Sequence, residues 1–282
     1  MSVAAAEFER VALVISDVDG TLLDDSKQLS PGATEAVRRL YAAGIRFTIA
    51  SARPPQLARA LVRKLSVREP FACFNGALIV GPDESVLKEL PISTTDAQIV
   101  SDWIVRSGFD LWVWTDKNWF VSNPTGTHVA HHEELMGSKA EALPTRDMSR
   151  FCVLKLVGVS EDHAALARAE QEAPSLGCRS ISATRSSEYY LDVTDASANK
   201  GAVVMTLSEM LGIPAAAIAT IGDMTTDTLM FRQSGISIAM GNAHADVKAQ
   251  ATSVTKDNND DGFAYAMDTF ILGAAEQRAA AD

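Results

Sequence analysis

Asp17 and Asp19, in the segment Ser16-Asp17-Val18-Asp19-Gly20-Thr21, are the residues of this 282-residue chain whose types and spacing point most directly to chemistry. Residues 11–16 are apolar or small, and the run stops at Asp17. A short apolar run ended by turn residues reads as a strand buried on both faces of a parallel sheet. Ligands of open α/β sheets bind beyond the carboxyl ends of the strands, so both aspartates are expected in that crevice. Carboxylates this close repel each other, and one tends to stay protonated unless a cation sits between them. Hard oxygen donors suit Mg²⁺, which keeps several waters and is held by one or two carboxylates plus a substrate phosphate. Gly20 permits close backbone approach, and Thr21 offers a hydroxyl. The same residue types are also ordinary turn formers, so the motif needs support from the rest of the chain.

The elements that must position these groups are legible around them. Ser30-Pro31 supply an N-cap and a first-turn proline for a helix with the apolar stripe Ala33, Ala36, Val37, Leu40 and Tyr41, ending near Gly44. Residues 45–50 predict a second strand ending at Ser51, residues 55–65 a helix, and residues 71–80 a third apolar run interrupted at Asn75-Gly76. In the polar loop 22–29, Asp24, Asp25 and Lys27 read as solvated. Strand–helix alternation with right-handed crossovers predicts an α/β fold built on a doubly wound parallel sheet.

From about residue 85 the texture changes. All four tryptophans fall between 103 and 119, and residues 111–122 read as a hairpin with alternating faces. Further strands at 151–159, 178–182 and 188–193 and a helix over 161–172 give an α+β texture. This predicts an inserted α+β domain over 85–189, flanked by core segments 1–84 and 190–282. In the second core segment a helix spans 199–211, a strand over 217–221 meets Gly222-Asp223, a helix follows from about 226, and a strand over 236–240 meets Gly241-Asn242. The Ala-rich ends of the chain are expected to fray.

Ser51 ends the second strand, where its hydroxyl and the following N–H groups could hold a phosphate oxygen, with Arg53 as a weaker candidate beside it. Lys200 stands at a helix start, where the macrodipole disfavours a cation, and a neighbouring carboxylate would compensate it. Asp223 ends an apolar strand and would enter the same crevice as Asp17 and Asp19, with Asp227 one turn later. His128, His131 and His132 have helical spacing that could make a metal site, but no matching His/Cys pair lies elsewhere, and a polar helix of the insert is the reading preferred.

The net charge of −11 and pI near 4.9 argue against nucleic-acid or anionic-membrane partners, so an anionic substrate must be met by local cations. No apolar run of about 18 residues is present, and residues 1–10 lack a basic, then apolar, leader pattern. Cys73, Cys152 and Cys178 are dispersed among apolar neighbours, which suits free thiols in a cytoplasmic protein.

Asp17-Val18-Asp19-Gly20-Thr21-Leu22-Leu23 after a hydrophobic strand resembles the first motif of the haloacid dehalogenase (HAD) superfamily. Ser51-Ala52-Arg53 resembles the second, with Ala52 in place of the glycine of the Cof-like Thr-Gly-Arg. Asn199-Lys200-Gly201 resembles the third, and Gly222-Asp223-Met224-Thr225-Thr226-Asp227 the fourth, with Thr226 where asparagine is usual. The stretch Ala239-Met240-Gly241-Asn242-Ala243 also looks Cof-like.

Taken in order, these motifs imply a HAD-like Rossmann-like core, and the position of the insert implies a C2-type cap of the IIB form. The resemblance further implies a Mg²⁺-dependent phosphatase acting on a small phosphorylated metabolite, as a monomer or homodimer. Asp17 would be the nucleophile and Asp19 the general acid/base. Thr21, Ser51, Arg53 and Lys200 would hold phosphate oxygens. Metal would be held by Asp17, Asp223 and the Asp19 carbonyl, with Gly20 and Asp227 in support. A phosphomutase or phosphotransferase on the same fold, or a sensor that binds without turnover, are the alternatives.

Overall fold

The computed structural model describes residues 11–178 and 180–273 of the chain. The Ala-rich ends, expected to fray, lie outside the described residues.

The apolar run before Asp17 forms β1 (Leu13–Ser16), every residue of it buried. Ser30 caps α1 (Pro31–Ala42), its Oγ accepting from the Ala33 N–H at 2.9 Å, and Ala33, Ala36, Val37 and Leu40 are the face that α1 buries. At about 1.5–3 kcal/mol per large apolar side chain removed from water, such faces are what holds helices to the sheet. β2 (Arg46–Ile49) and α2 (Pro55–Lys64) follow. The third apolar run then divides into β3 (Phe71–Cys73) and β4 (Leu78–Val80), an antiparallel pair that β5 (Val86–Glu89) extends. That run therefore departs from the expected parallel sheet. It touches the sheet through a single parallel bridge, Ala50 to Ala72.

The insert contributes α3 (Thr94–Arg106), β6 (Asp110–Trp114), β7 (Trp119–Val121), α4 (Val129–Met136), β8 (Glu141–Ala142), β9 (Lys155–Val159), α5 (His163–Glu172), β10 (Ile181–Arg185) and β11 (Tyr190–Asp195). After it come α6 (Lys200–Leu211), β12 (Ile218–Gly222), α7 (Thr228–Phe231), β13 (Ile236–Ala239), α8 (Ala245–Lys248), β14 (Ser253–Val254) and α9 (Gly262–Ala266).

Five strands form an all-parallel sheet in the order β14-β13-β12-β1-β2. The order reverses around β1, so the loops after β1, β2 and β12 converge on one crevice. Six strands form a second sheet, β10-β11-β9-β6-β7-β8. The architecture is α/β, a doubly wound Rossmann-like sheet with a separate sheet-rich region. The boundaries expected at 84/85 and 189/190 do not coincide with the strand pairing. β5 hydrogen-bonds to β4, and β11 hydrogen-bonds to β9 and β10, so the pairing carries each sheet a few residues past the change in texture.

One face of the six-stranded sheet packs Leu111, Val113, Leu156, Leu191 and Val193 against Ile104 of α3 and Leu166 of α5. The other face carries Trp112, Trp114 and Trp119, all 3% exposed or less. The Trp114 and Trp119 rings stack at 5.1 Å, and Trp114 lies 5.9 Å from Phe74. Three of the four tryptophans are thus packing residues, with their faces taken up by one another. Among the described residues no helix is long and apolar enough to cross a membrane.

Candidate active site

β1 delivers Asp17 into the crevice, 5% exposed. Its Oδ1 accepts a hydrogen bond from Lys200 Nζ, and Lys200 Nζ also donates to Asp227 Oδ1 at 2.5 Å. Lys200 is 3% exposed and Asp227 fully buried. The lysine opens α6, whose N-cap Asn199 accepts from the Ala202 N–H at 2.9 Å. The unfavourable dipole at that helix start is offset by two carboxylates.

Asp227 is anchored further by its Oδ2, which accepts from the backbone N–H groups of Asp223 (2.9 Å) and Met224 (2.8 Å). The carboxylate folds back under the end of β12. There a Cβ on Gly222 would stand 2.4 Å from the Asp227 carboxyl carbon, so only glycine fits. Thr21 Oγ1 donates to Asp223 Oδ1 at 3.1 Å, tying the first loop to the fourth.

Asp17, Asp223 and Asp227 each bring a carboxylate oxygen within 4.8 Å of the others. Burial pushes Asp17 up to about 8, with repulsion from Asp227 and Asp223 adding to it and Lys200 opposing it. Asp223 is pushed up to about 6, by burial and by Asp227. Burial also works against the charge on Lys200, but Asp17 and Asp227 more than reverse it, and the ammonium stays protonated. Three carboxylates share one cation, and the set is short of positive charge. A hard divalent ion fits that donor set. Both Asp227 oxygens are already engaged, so Asp17 and Asp223 are the side chains that suit it.

Asp19 points into a different environment. Its carboxylate takes Arg53 Nε at 2.7 Å on Oδ2 and Arg53 Nη2 at 2.8 Å on Oδ1, and Lys27 Nζ lies 2.9 Å from Oδ1. Burial would raise it, yet the bonds from Arg53 and then Lys27 hold it down at about 2. Ser51, 1% exposed, accepts from the Arg53 N–H at 3.1 Å through its Oγ, while its own N–H donates to Ala72. Gly20 sits between the two halves at φ +76°, and a Cβ there would meet Asp223 Oδ2 at 2.5 Å. Gly20→Ala is therefore expected to cost about 1–3 kcal/mol. Chemical denaturation compared with wild type measures this, and an unchanged midpoint would contradict the close approach.

The structure thus brings together Asp17, Lys200, Asp223 and Asp227, with Thr21 and Gly20 alongside, and joins Arg53 to Asp19. Lys27, read as solvated, instead reaches Asp19. It does so from a left-handed backbone (φ +60°), a loop geometry that no local pattern signals. Asn242 was also outside the expected set. Its Nδ2 donates to the Gly20 carbonyl at 2.8 Å, and its Oδ1 accepts from Asn258 N at 3.1 Å. The signal that could have found it is its place just past a strand end. Thr226 is exposed, away from the buried cluster. His132 packs against Trp112 at 4.8 Å, and no histidine belongs to a metal-type cluster among the described residues.

A parallel sheet with an acidic crevice at its switch point, and a second sheet inserted beside that crevice, define an α/β enzyme of the capped-hydrolase class. The chain matches the family model of haloacid dehalogenase-like hydrolases over residues 14–267, and it belongs to that family. It is 26% identical to a 5-amino-6-(5-phospho-D-ribitylamino)uracil phosphatase of Bacillus subtilis over 283 residues, covering 91% of this chain and 97% of the relative. A haloacid dehalogenase-like hydrolase from Bacteroides thetaiotaomicron superposes with a TM-score of 0.81 at 24% identity, covering 92% of this chain and 99% of the other. A HAD subclass IIB sugar phosphatase superposes with a TM-score of 0.80 at 21% identity, over 93% and 99%.

Proposed function

We propose that this HAD-family phosphatase hydrolyses a small phosphate monoester in two steps, with Asp17 as nucleophile and Asp19 as general acid and then base. The observation that carries the reading is the buried Asp17–Lys200–Asp227 arrangement with Asp223 alongside. Asp17 attacks phosphorus in line and forms an aspartyl-phosphate, a known covalent route for carboxylates. Lys200 and Thr21 hold phosphoryl oxygens, and Ser51 contributes its hydroxyl. Asp17, Asp223 and the Asp19 carbonyl would hold Mg²⁺, which would supply charge neutralisation at those oxygens.

Asp19, held ionised by Arg53 and Lys27, is in the state a base needs for the hydrolytic step. For the first step its carboxyl must leave that clamp and carry a proton to the leaving oxygen. An incoming phosphate competes for Arg53 and so favours that release. Asn242 holds the Gly20 carbonyl and thereby the loop on which Asp19 rides.

The relative from Bacillus subtilis is named for a phosphorylated ribityl compound, which supports a small phosphorylated metabolite as substrate here. The unit between Glu89 and Asp195 acts as a cap that closes on the crevice and excludes bulk water. Its hairpin already meets the core through Gln56 Nε2, which donates to the Lys117 carbonyl at 3.2 Å, and through Phe74.

The test is release of p-nitrophenol from p-nitrophenyl phosphate by wild type and Asp19→Asn, with Mg²⁺ or with EDTA. Wild-type turnover is expected to vanish in EDTA and return with Mg²⁺, and Asp19→Asn to lower kcat by about 10²–10⁴-fold. Turnover indifferent to EDTA would remove the metal from the proposal.

A further inference from the structure

The face of the six-stranded sheet opposite α3 and α5 carries charges that the reaction at Asp17 leaves unused. Register places Lys155 beside Trp114 and Asp192 beside Val157, so Trp112, Trp114, Lys155, Asp192 and Thr194 share that face. Lys155 Nζ and Asp192 Oδ2 lie 2.5 Å apart, with side chains 12% and 8% exposed. The Thr194 residue is 7% exposed. Beyond their mutual bond, Lys155 Nζ and Asp192 Oδ1 make no hydrogen bond to the described residues, and neither does the Thr194 hydroxyl. None of these atoms is sealed without a partner, so three largely covered polar side chains keep donors and acceptors open to whatever enters from solvent. A buried ion pair is also poor support for stability, since apolar replacements of similar volume are often neutral or better.

The direction of this face is set at two joints. Trp114, the register partner of Lys155, lies 5.9 Å from Phe74. The loop carrying Phe74 donates from Phe74 N to the Arg53 carbonyl at 3.1 Å and from Asn75 N to the Ser51 carbonyl at 2.8 Å, beside the crevice. At the other joint β11, which carries Asp192 and Thr194, ends at Asp195 and leads through a short turn to Lys200. Elsewhere on the face His132 of α4 covers Trp112 and Tyr190, with ring centroids at 4.8 and 5.3 Å. Lys155, at the start of β9 beside Trp114, and Thr194, next to the end of β11, lie at the end of the face that adjoins these two joints.

We propose that Lys155, Asp192 and Thr194 form the subsite that reads the hydroxyl groups of the leaving group, so that the favoured substrate is the phosphate ester of a sugar or polyol. The inference rests on the phosphatase reading above. Adjacent hydroxyls each donate and accept, and an ammonium beside a carboxylate beside a hydroxyl offers the complementary set. The pair is neutral in sum, so it has no net attraction for a second phosphate or a carboxylate. A site built to hydrogen-bond a hydroxyl discriminates strongly against analogues lacking it, because its own groups are then left unpaired.

Steady-state kinetics of the full chain with Mg²⁺ on glucose 6-phosphate, sorbitol 6-phosphate, fructose 1,6-bisphosphate and p-nitrophenyl phosphate test this, for wild type, Lys155→Met/Asp192→Leu and Thr194→Val. The double variant removes both charges together, and a thermal melt checks its fold. Wild type is expected to favour a sugar or polyol monophosphate over p-nitrophenyl phosphate in kcat/KM. That preference ratio is expected to fall about 20-fold or more in the double variant and roughly 5-fold in Thr194→Val. An unchanged ratio in the folded variants, or in Thr194→Val alone if the double variant does not fold, would overturn the subsite. So would a wild type that prefers the bisphosphate or the hydroxyl-free ester. If wild type turned over none of the four esters, the phosphatase reading itself would fall and this inference with it.

Discussion

Asp17→Asn is expected to lower kcat for p-nitrophenyl phosphate by roughly 10⁴-fold or more, the scale on which loss of a covalent nucleophile is felt. The substitution is nearly isosteric, and Asn keeps a carbonyl oxygen to accept from Lys200, so the variant should still fold. It cannot carry the phosphoryl group, because an amide is not a competent nucleophile at phosphorus. Rapid-quench trapping of a phosphorylated protein should succeed for wild type and fail for this variant. Turnover that survived the change would end the case for a covalent step on Asp17.

Lys200→Met should have the second-largest effect, and on two observables. Lys200 bridges Asp17 and Asp227 in a cluster where all three side chains are 7% exposed or less. Removing the cation leaves two buried carboxylates facing each other, a change that costs about 3–5 kcal/mol when one partner of a buried pair is lost. For a chain of this size that corresponds to a fall in Tm of roughly 6–20 °C.

The cost should depend on pH. Burial already pushes Asp17 up to about 8 in the folded protein, far above the usual carboxylate range, and losing Lys200 pushes it higher. A carboxyl whose folded pKa is raised binds more protons folded than unfolded, so stability falls as pH rises between the two values. While Asp17 stays protonated in both folded proteins they lose the same stability, so the gap should open above pH 8, and melts in EDTA at pH 7 and pH 9 should show the variant further below wild type at pH 9. A gap that stayed the same or narrowed would mean that Lys200 does not hold the two carboxylates. Activity is expected to drop as well, since the phosphoryl oxygens lose a cation.

How much was legible in advance follows from what each feature depends on. β1, α1, β2 and β12 are announced by local pattern: apolar runs that stop at Asp17, Ser51 and Asp223, and a Ser-Pro cap before an amphipathic stripe. The run over 71–80 was misplaced because an apolar strand carries no mark of its partner. Phe71–Cys73 pairs antiparallel with Leu78–Val80 because the Asn75-Gly76 turn, with Asn75 at φ +56° and Gly76 at φ +105°, reverses the chain. Strand pairing at the insert's edges turns on a related point. Strand pairing extends past a change in texture whenever the neighbouring edge still offers hydrogen bonds.

Sequence alone determined the residues that end the strands, and in an open parallel sheet those residues must meet at the switch point. Asp17 and Asp223 were therefore identifiable from their strand ends, and Lys200 and Asp227 from the motifs they stand in, though up to 210 positions separate the first from the last. Only the tertiary structure decided how the acids divide their work. Asp17 is buried against Lys200, Asp227 is spent on Lys200 and two backbone N–H groups, and Asp19 turns outward to Arg53 and Lys27. Those partnerships depend on side-chain direction, on the left-handed turn at Lys27 and on burial. None of these is a property of neighbouring residues in the chain. The same holds for Lys155 and Asp192, 37 positions apart, whose meeting on one face is set by strand register.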